Sequence, residues 1–191
     1  MSHIDLGLYL IRKRQQELEV VEISDWTTTD VPACGMSWEN AYKVYAPCML
    51  TKYKHWVALM IDLVKCEIKV YDSMVSLIPD EILKEDLAPL SITIPNLLNT
   101  MDFYEESFYA NDCSIDWWCL WPIKRVDVPQ QSNQGDCGMF VLKYIELLSA
   151  EIPLATCTSQ NMPFFRYMMI KLVLGISNLK LMQLSNIKVM K

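Results

Sequence analysis

Two neighbouring hydrophobic runs carry the clearest strand pattern of the chain. "HWVALMID" (55–62) is nearly all apolar, which is typical of a strand covered on both faces. "EIKVYDS" (67–73) alternates, with Ile68 and Val70 on one side and polar or aromatic residues on the other. The link between the runs is short, so together they predict a β-hairpin.

Beyond the hairpin, prolines divide the pattern into short elements. In "IPDEILKEDLAPLSITIPN" we expect a brief helix that ends at Pro89 and then a strand, "SITI", that ends at Pro95. "WPIKRVDVP" predicts another strand, which Pro129 ends. A longer amphipathic helix should begin at Cys137, because apolar residues recur at helical spacing after it.

Composition limits the class of protein. The chain has 191 residues, 52% of them hydrophobic and 21% charged, which favours one folded domain over residues 1–191. The strands and helices predict an α+β fold. A net charge of −6 argues against nucleic-acid binding through phosphates, and lysines interrupt the longest apolar run before it reaches the length of a membrane span. We therefore expect a monomer without nucleic-acid or membrane partners.

The numbers and spacing of the cysteines and histidines indicate the cellular compartment of the protein and whether it binds a metal. Seven cysteines, an odd number without CxxC pairs, stand in a chain whose first residues do not form a secretory signal, so we expect free thiols in an intracellular compartment. Only two histidines are present, at His3 and His55. This is too few for the usual zinc-ligand spacing, and we predict neither a metal nor a cofactor.

Cys137 differs from the other thiols in its placement. It lies at the predicted start of a helix, where unpaired backbone N–H groups and the helix dipole favour a thiolate. Gly135 and Gly138 remove side-chain bulk around it, so that a substrate backbone can approach closely. These features predict a nucleophile, with Gly138 in contact with the substrate.

A cysteine nucleophile needs a base, and His55 is the candidate because His3 is near the terminus. The imidazole in turn needs an acceptor that fixes its orientation. Asp62 is seven residues further along the same strand, roughly 23 Å away at the rise of an extended chain. Asp72 returns towards His55 on the second strand of the hairpin, so we choose Asp72.

The oxyanion of an acyl-transfer intermediate also needs a donor, and a side-chain amide can supply one. Gln130, Gln131 and Gln134 all lie in the loop before Cys137. Their spacing alone does not choose among them.

Three separated motifs now resemble one family. "HW" (55–56), "VYDS" (70–73) and "PQQSNQGDCG" (129–138) are similar to the catalytic domain of the ubiquitin-like-protein-specific proteases, the SUMO-protease family of cysteine peptidases. The order His, Asp, Gln, Cys and the form Q-x-N-x-x-D-C-G both match. "IDLGLYLIRKR" and "HWVALMIDL" further resemble the plant, transposon-associated branch.

The resemblance implies a function and a papain-like α+β fold of the adenain and SUMO-protease type, with a mixed central β-sheet flanked by helices. Gln131, six residues before the cysteine, would be the oxyanion-hole residue. Trp56 would cover a narrow channel through which the substrate's Gly-Gly tail reaches Cys137. The implied reaction is cleavage after the C-terminal Gly-Gly of a SUMO-like modifier, in precursors or in conjugates to lysine, with nuclear placement by family habit.

One feature departs from the family. Its members usually carry a Trp-Leu segment ahead of the first helix, and that tryptophan forms the other side of the channel. Here the helix predicted over residues 4–16 leaves no room for the segment, and Trp26 comes too late in the chain. We therefore expect a catalytic domain truncated at its N-terminal edge.

Residues 101–121 combine five acidic residues with seven aromatics and no basic residue. Two interpretations are open: a helix with acids towards water and aromatics towards the core, which we favour, or an acidic exosite for a basic partner. Two alternatives to the main function also stay open. One is a related peptidase for another ubiquitin-like protein, and the other is a catalytically silent, modifier-binding relic.

Overall fold

The computed structural model describes residues 41–100, 103 and 120–173, and it contains a mixed β-sheet with three α-helices. The predictions over residues 4–16 and at Trp26 lie outside the described residues. The strands are β1 (Lys43–Leu50), β2 (His55–Asp62), β3 (Glu67–Tyr71) and β4 (Ile123–Val126). The helices are α1 (Asp80–Thr100), α2 (Cys137–Ser149) and α3 (Met162–Val173). The predicted α+β class is confirmed.

The four-stranded sheet has the order β1-β2-β3-β4. The first two pairs are antiparallel and the β3–β4 pair is parallel. The hairpin predicted from the hydrophobic pattern is β2 and β3, closed where Asp62 pairs with Glu67. In its turn the backbone N–H of Lys65 donates to Asp62 Oδ1 at 2.9 Å, and Cys66 adopts a left-handed conformation with φ 51°.

Strand β2 is covered on both faces, as its continuous apolar sequence predicts. Val57 and Leu59 pack into a cluster with the buried face of α1, which we call the α1-side core. Ala58 and Met60 point the other way into a cluster with α2 residues such as Phe140, the α2-side core. The alternation along one strand therefore builds two hydrophobic cores, one on each face of the sheet.

The helix predicted before Pro89 is confirmed, but its predicted end at Pro89 and the predicted strand "SITI" were wrong. The structure has one 21-residue helix, α1, with Pro89 and Pro95 inside it. Its buried residues recur at helical spacing: Leu83, Leu87, Ser91, Pro95 and Leu98. Burial of this face in the α1-side core outweighs the local effect of the prolines.

Each proline removes one backbone donor, and the structure compensates for the loss in α1. Pro95 leaves the carbonyl of Ser91 without its helical partner, and the backbone N–H of Trp121 donates to that carbonyl at 3.2 Å. Pro89 frees the carbonyl of Glu85, which is an exposed residue and can be hydrated. Neither proline therefore leaves a buried backbone acceptor unpaired.

The remaining elements agree with the sequence pattern except for β1. The strand predicted in "WPIKRVDVP" is β4, and the helix predicted from Cys137 is α2. Strand β1 was not predicted, since Pro47 interrupts its pattern. Proline is tolerated there because β1 lies at the end of the strand order among the described residues.

The acidic, aromatic segment 101–121 is described only at Phe103 and at residues 120 and 121. Phe103 and Trp121 are both buried in the α1-side core. For these two aromatics the core interpretation is confirmed, and the rest of the segment lies outside the described residues.

Candidate active site

Cys137 is the first residue of α2 and is buried. The helix begins here because the polar loop before it gives way to residues that pack into the α2-side core, among them Phe140 and Tyr144. Asp136 precedes the thiol and is buried, but its side chain does not cap the helix. It instead accepts hydrogen bonds from the side chains of Asn133, at 2.5 Å, and Arg166 of α3.

His55 is the first residue of β2 and is also buried. Lys54 in front of it adopts a left-handed conformation with φ 50°, which ends the connection from β1 and turns the chain into β2. The β2–β3 register pairs Ala58 with Tyr71, so Asp72, the residue after β3, returns beside the start of β2. His55 Nε2 lies 2.8 Å from Asp72 Oδ1.

Asp72 is 0% exposed. Burial alone would raise the pKa of this carboxyl, but hydrogen bonds from His55 and from the backbone N–H of Met74, with the nearby charge of Arg125, hold the pKa below its ordinary value. The Met74 N–H donates to the same Oδ1 atom at 2.8 Å. The carboxylate is thus ionised where the imidazole meets it.

The imidazole and the thiol also act on each other, and each shifts the pKa of its partner. Burial disfavours the imidazolium, but the hydrogen bonds to Asp72 and Cys137 outweigh this and raise the pKa of His55 to about 9. Burial likewise raises the pKa of the Cys137 thiol, but the His55 hydrogen bond and the Trp56 backbone N–H reverse this and lower it overall. Both shifts favour a thiolate–imidazolium pair. Because Nε2 faces Asp72, the nitrogen left for the thiol is Nδ1.

Among the three glutamines of the loop, Gln131 is tied to the residue after Asp72. Its backbone N–H donates to the Ser73 carbonyl at 2.7 Å, and the Ser73 hydroxyl donates to Gln131 Oε1 at 2.6 Å. Gln131 Nε2 donates to the Asn133 carbonyl at 2.6 Å, which leaves its second hydrogen for another acceptor. Because the Asn133 carbonyl can only accept, it fixes which end of this amide is the donor, and the Ser73 hydroxyl donates to the other end.

The side chain of Gln130 forms hydrogen bonds to backbone groups. Its Nε2 donates to the carbonyls of Asp72 and Val128, each at 2.9 Å, and its Oε1 accepts from the Val75 N–H at 2.9 Å. Gln134 is exposed. The geometry thus separates three glutamines that spacing alone left equivalent.

Trp56 and Gly138 border the thiol through the backbone. The backbone N–H groups of both residues contribute to lowering the pKa of the Cys137 thiol. The Trp56 side chain is half-buried and packs against Leu142 of α2. The resemblance implied a role for the side chain of Trp56 only. The contribution of its backbone N–H depends on how β2 packs against α2, which the spacing of residues in the sequence does not reveal.

Sequence reasoning missed three side chains around the site: Ser73, Arg125 and Arg166. Ser73 could have been found, because it follows Asp72 in the quoted "VYDS" motif. Arg125 and Arg166 gave no comparable signal, since each reaches the site only through tertiary packing of β4 or α3.

Across the described ranges there is no cluster of three or more histidine, cysteine, aspartate or glutamate residues arranged to hold a metal ion. In the same part of the chain, no helix has both the length and the apolarity needed to cross a bilayer.

A thiol, an imidazole and a carboxylate in series, at the meeting point of a helix and a sheet, are the arrangement of a papain-like cysteine peptidase. The model of the Ulp1 protease family, C-terminal catalytic domain, matches residues 36–176. The chain belongs to this family of proteases.

Individual relatives agree with the family match. Sentrin-specific protease 2 of Homo sapiens is 34% identical over 118 residues, which are 61% of this chain and 18% of that protein. Ubiquitin-like-specific protease ESD4 of Arabidopsis thaliana is 48% identical over 58 residues, covering 29% of this chain and 12% of that protein. The chain therefore matches less than a fifth of the length of these relatives.

A solved structure supports the fold. The C-terminal Ulp1 protease domain in complex with Smt3, the yeast ortholog of SUMO, superposes with a TM-score of 0.50 at 26% identity. The superposition covers 70% of this chain and 52% of that one.

Proposed function

We propose that the chain is a single cysteine peptidase catalytic domain that hydrolyses the bond after the C-terminal Gly-Gly of a SUMO-like modifier. The observation that carries the proposal is the placement of His55, whose Nε2 is hydrogen-bonded to Asp72 and whose imidazole lowers the pKa of the Cys137 thiol. The family and its relatives, named for sentrin and ubiquitin-like substrates, supply the substrate class.

The reaction begins with attack of the Cys137 thiolate on the carbonyl carbon of the terminal glycine. The oxyanion that forms accepts hydrogen bonds from Gln131 Nε2 and from the backbone N–H of Cys137. His55 then donates its proton to the leaving amine, and the carbon–nitrogen bond breaks to leave a thioester. Asp72 keeps the imidazole oriented and stabilises its positive charge throughout.

Water completes the cycle. His55, now neutral, takes a proton from a water molecule that attacks the thioester, and the carbon–sulfur bond breaks to release the modifier as a carboxylic acid, which loses its remaining proton to solvent. The thiolate–imidazolium pair is thereby restored. The residues of the site and water supply all the groups that the reaction needs, so the proposal requires no cofactor.

The surroundings of the thiol suit a Gly-Gly tail. Gly138 adds no side chain beside the nucleophile, and the half-buried ring of Trp56 follows directly after the base. We propose that these residues border a channel too narrow for a residue with a side chain. The leaving group can be a precursor peptide or the lysine of a conjugate, because the chemistry at the glycine carbonyl is the same.

Two further parts of the proposal concern the whole chain. We propose that it acts as a monomer, without nucleic acid, on modifiers in the nucleus. Light scattering of the purified chain tests the first point, and localisation of a fluorescent fusion tests the last.

Hydrolysis of a SUMO protein with a fluorogenic amide on its C-terminal glycine tests the activity. We expect the wild-type chain to release the fluorophore and Cys137→Ala to release none above background, because the nucleophile is absent. The matched control is Cys48→Ala, which removes another free, half-buried thiol in β1. Activity that survives Cys137→Ala would contradict the proposed nucleophile.

A further inference from the structure

Arg125 places a positive charge beside the carboxylate of Asp72. It lies on β4, paired with Val70 of the parallel neighbour β3, and Asp72 is two residues beyond Val70. The Arg125 side chain is only 12% exposed, and its Nη2 is 3.0 Å from Asp72 Oδ2. The cation therefore faces the carboxylate from the side opposite to His55.

The two oxygens of the Asp72 carboxylate have different surroundings. Oδ1 meets both His55 Nε2 and the Met74 N–H at 2.8 Å. Oδ2 is buried and accepts no hydrogen bond of adequate geometry within the described residues, although Arg125 lies in ion-pair contact with it. A buried carboxylate oxygen is costly without compensation, and Arg125 supplies that compensation as charge.

The guanidinium is itself held in place. Its Nη2 donates to the Ile78 carbonyl at 2.9 Å, and its Nη1 is 3.5 Å from Asp80 Oδ1 at the start of α1. A planar guanidinium can serve several acceptors at fixed angles, whereas a lysine ammonium is a single mobile point charge. Arg125 thus links the beginning of α1 to the carboxylate.

We propose that Arg125 is a positioning residue of the active site, which keeps the Asp72 carboxylate ionised and turned so that Oδ1 faces His55. The proposal rests on the proposed function for its catalytic consequence, but its electrostatic consequence can be measured without any substrate. Five ionisable groups of the described residues face Asp72 or its partners, namely His55 of β2, Arg125 of β4, Asp80 of α1, and Cys137 and Tyr144 of α2.

Removal of the Arg125 charge should affect Asp72 first, then His55 and finally Cys137. Without the cation, the buried Asp72 carboxylate is protonated more readily and loses its fixed orientation. The pKa of His55 then falls, so the imidazolium is less favoured and the Cys137 thiolate loses part of its stabilisation. We therefore expect a thiolate that forms only at higher pH and a slower chemical step, with substrate binding little changed.

The test compares Arg125→Met with Lys124→Met, a matched control on the neighbouring residue of β4 whose exposed ammonium pairs with Glu67. The first readout is the pH midpoint of Cys137 alkylation by iodoacetamide, followed by mass spectrometry. We expect Arg125→Met to raise the midpoint by about one pH unit and Lys124→Met to leave it unchanged. Arg125→Lys, which keeps the charge, should restore at least half of the shift.

The second readout is steady-state hydrolysis of the fluorogenic SUMO substrate. We expect Arg125→Met to lower kcat about 10-fold while KM changes less than about 2-fold. If Arg125→Met does not fold, Arg125→Gln, which removes the charge but keeps a donor for Ile78, carries the same expectations.

A folded Arg125 variant without charge that keeps the wild-type midpoint would overturn the inference, as would an equal shift in Lys124→Met. A wild-type chain that cleaves no substrate would count against the proposed function alone, because the alkylation midpoint would still report on Arg125.

Discussion

At the scale of single residues, burial and hydrogen bonding oppose each other at every member of the proposed triad. Burial disfavours the charged form of Cys137, His55 and Asp72 alike. Their contacts with one another reverse this effect, so that the pKa of His55 rises while the pKa values of Cys137 and Asp72 fall. The charged state of each group therefore depends on its neighbours, and a change at one should appear at the others.

The first prediction concerns His55→Gln. The imidazolium is the main group that lowers the pKa of the Cys137 thiol, so its removal should raise that pKa towards the ordinary value of 9.0. Iodoacetamide alkylation of Cys137 should then need a higher pH, and its rate near pH 7 should fall several-fold, because a smaller fraction of the thiol is ionised.

The control for this prediction is His3→Gln, which removes the other histidine of the chain. We expect the His3 variant to be alkylated as the wild type is. An unchanged pH midpoint in folded His55→Gln would show that the imidazole does not act on the thiol.

The residues that meet at the site were predictable where local rules sufficed. Cys137 could be chosen from its place at a helix start, His55 because the chain has only two histidines, and Asp72 from the geometry of a hairpin. Arg125 could not be chosen. Its contact with Asp72 depends on parallel pairing of β3 with β4, two strands separated by all of α1, and the apolar pattern does not specify that pairing.

At the scale of elements, α1 shows how tertiary packing outweighs local propensity. Read locally, Pro89 ends the helix, because proline disfavours the helix interior and restricts the residue before it. In the structure the helix continues, because Leu87, Ser91 and Leu98 complete a buried face that extends on both sides of the proline. Leu87 and Leu98 are visible as apolar positions in the sequence, but they stabilise one continuous helix only when they pack into the α1-side core.

The second prediction tests this continuous helix through Pro89→Ala. Pro89 is exposed, so the change opens no cavity, and it restores an N–H donor for the Glu85 carbonyl. Relief of the interior proline should outweigh the greater entropy of the unfolded chain, and we expect the free energy of unfolding to rise by about 1 to 2 kcal/mol. Urea denaturation followed by circular dichroism measures it.

Pro79→Ala is the matched control for the helix prediction. Pro79 is also exposed but precedes α1, where proline costs nothing and limits the unfolded chain, so this variant should be slightly less stable than the wild type. If Pro89→Ala also destabilised the protein, the helix would end near residue 89.

At the scale of the whole molecule, three element ends meet beside one face of the sheet. His55 begins β2, Asp72 follows β3 and Cys137 begins α2. The two cores on either side of β2 fix the strand, and α2 packs on it through residues such as Phe140 and Tyr144. Stability thus comes from the middles of these elements, while their ends carry the chemistry.

The measurement that tests the central claim most directly is covalent capture by SUMO with a thiol-reactive group in place of its C-terminal carboxylate. The wild-type chain, Cys137→Ala and Cys48→Ala would each be incubated with this probe and with the corresponding ubiquitin probe, and adducts read by intact mass. We predict one SUMO adduct in the wild type and in Cys48→Ala, none in Cys137→Ala, and less adduct with ubiquitin. A folded wild-type chain that forms no adduct with either probe, or an adduct that persists in Cys137→Ala, would contradict the account.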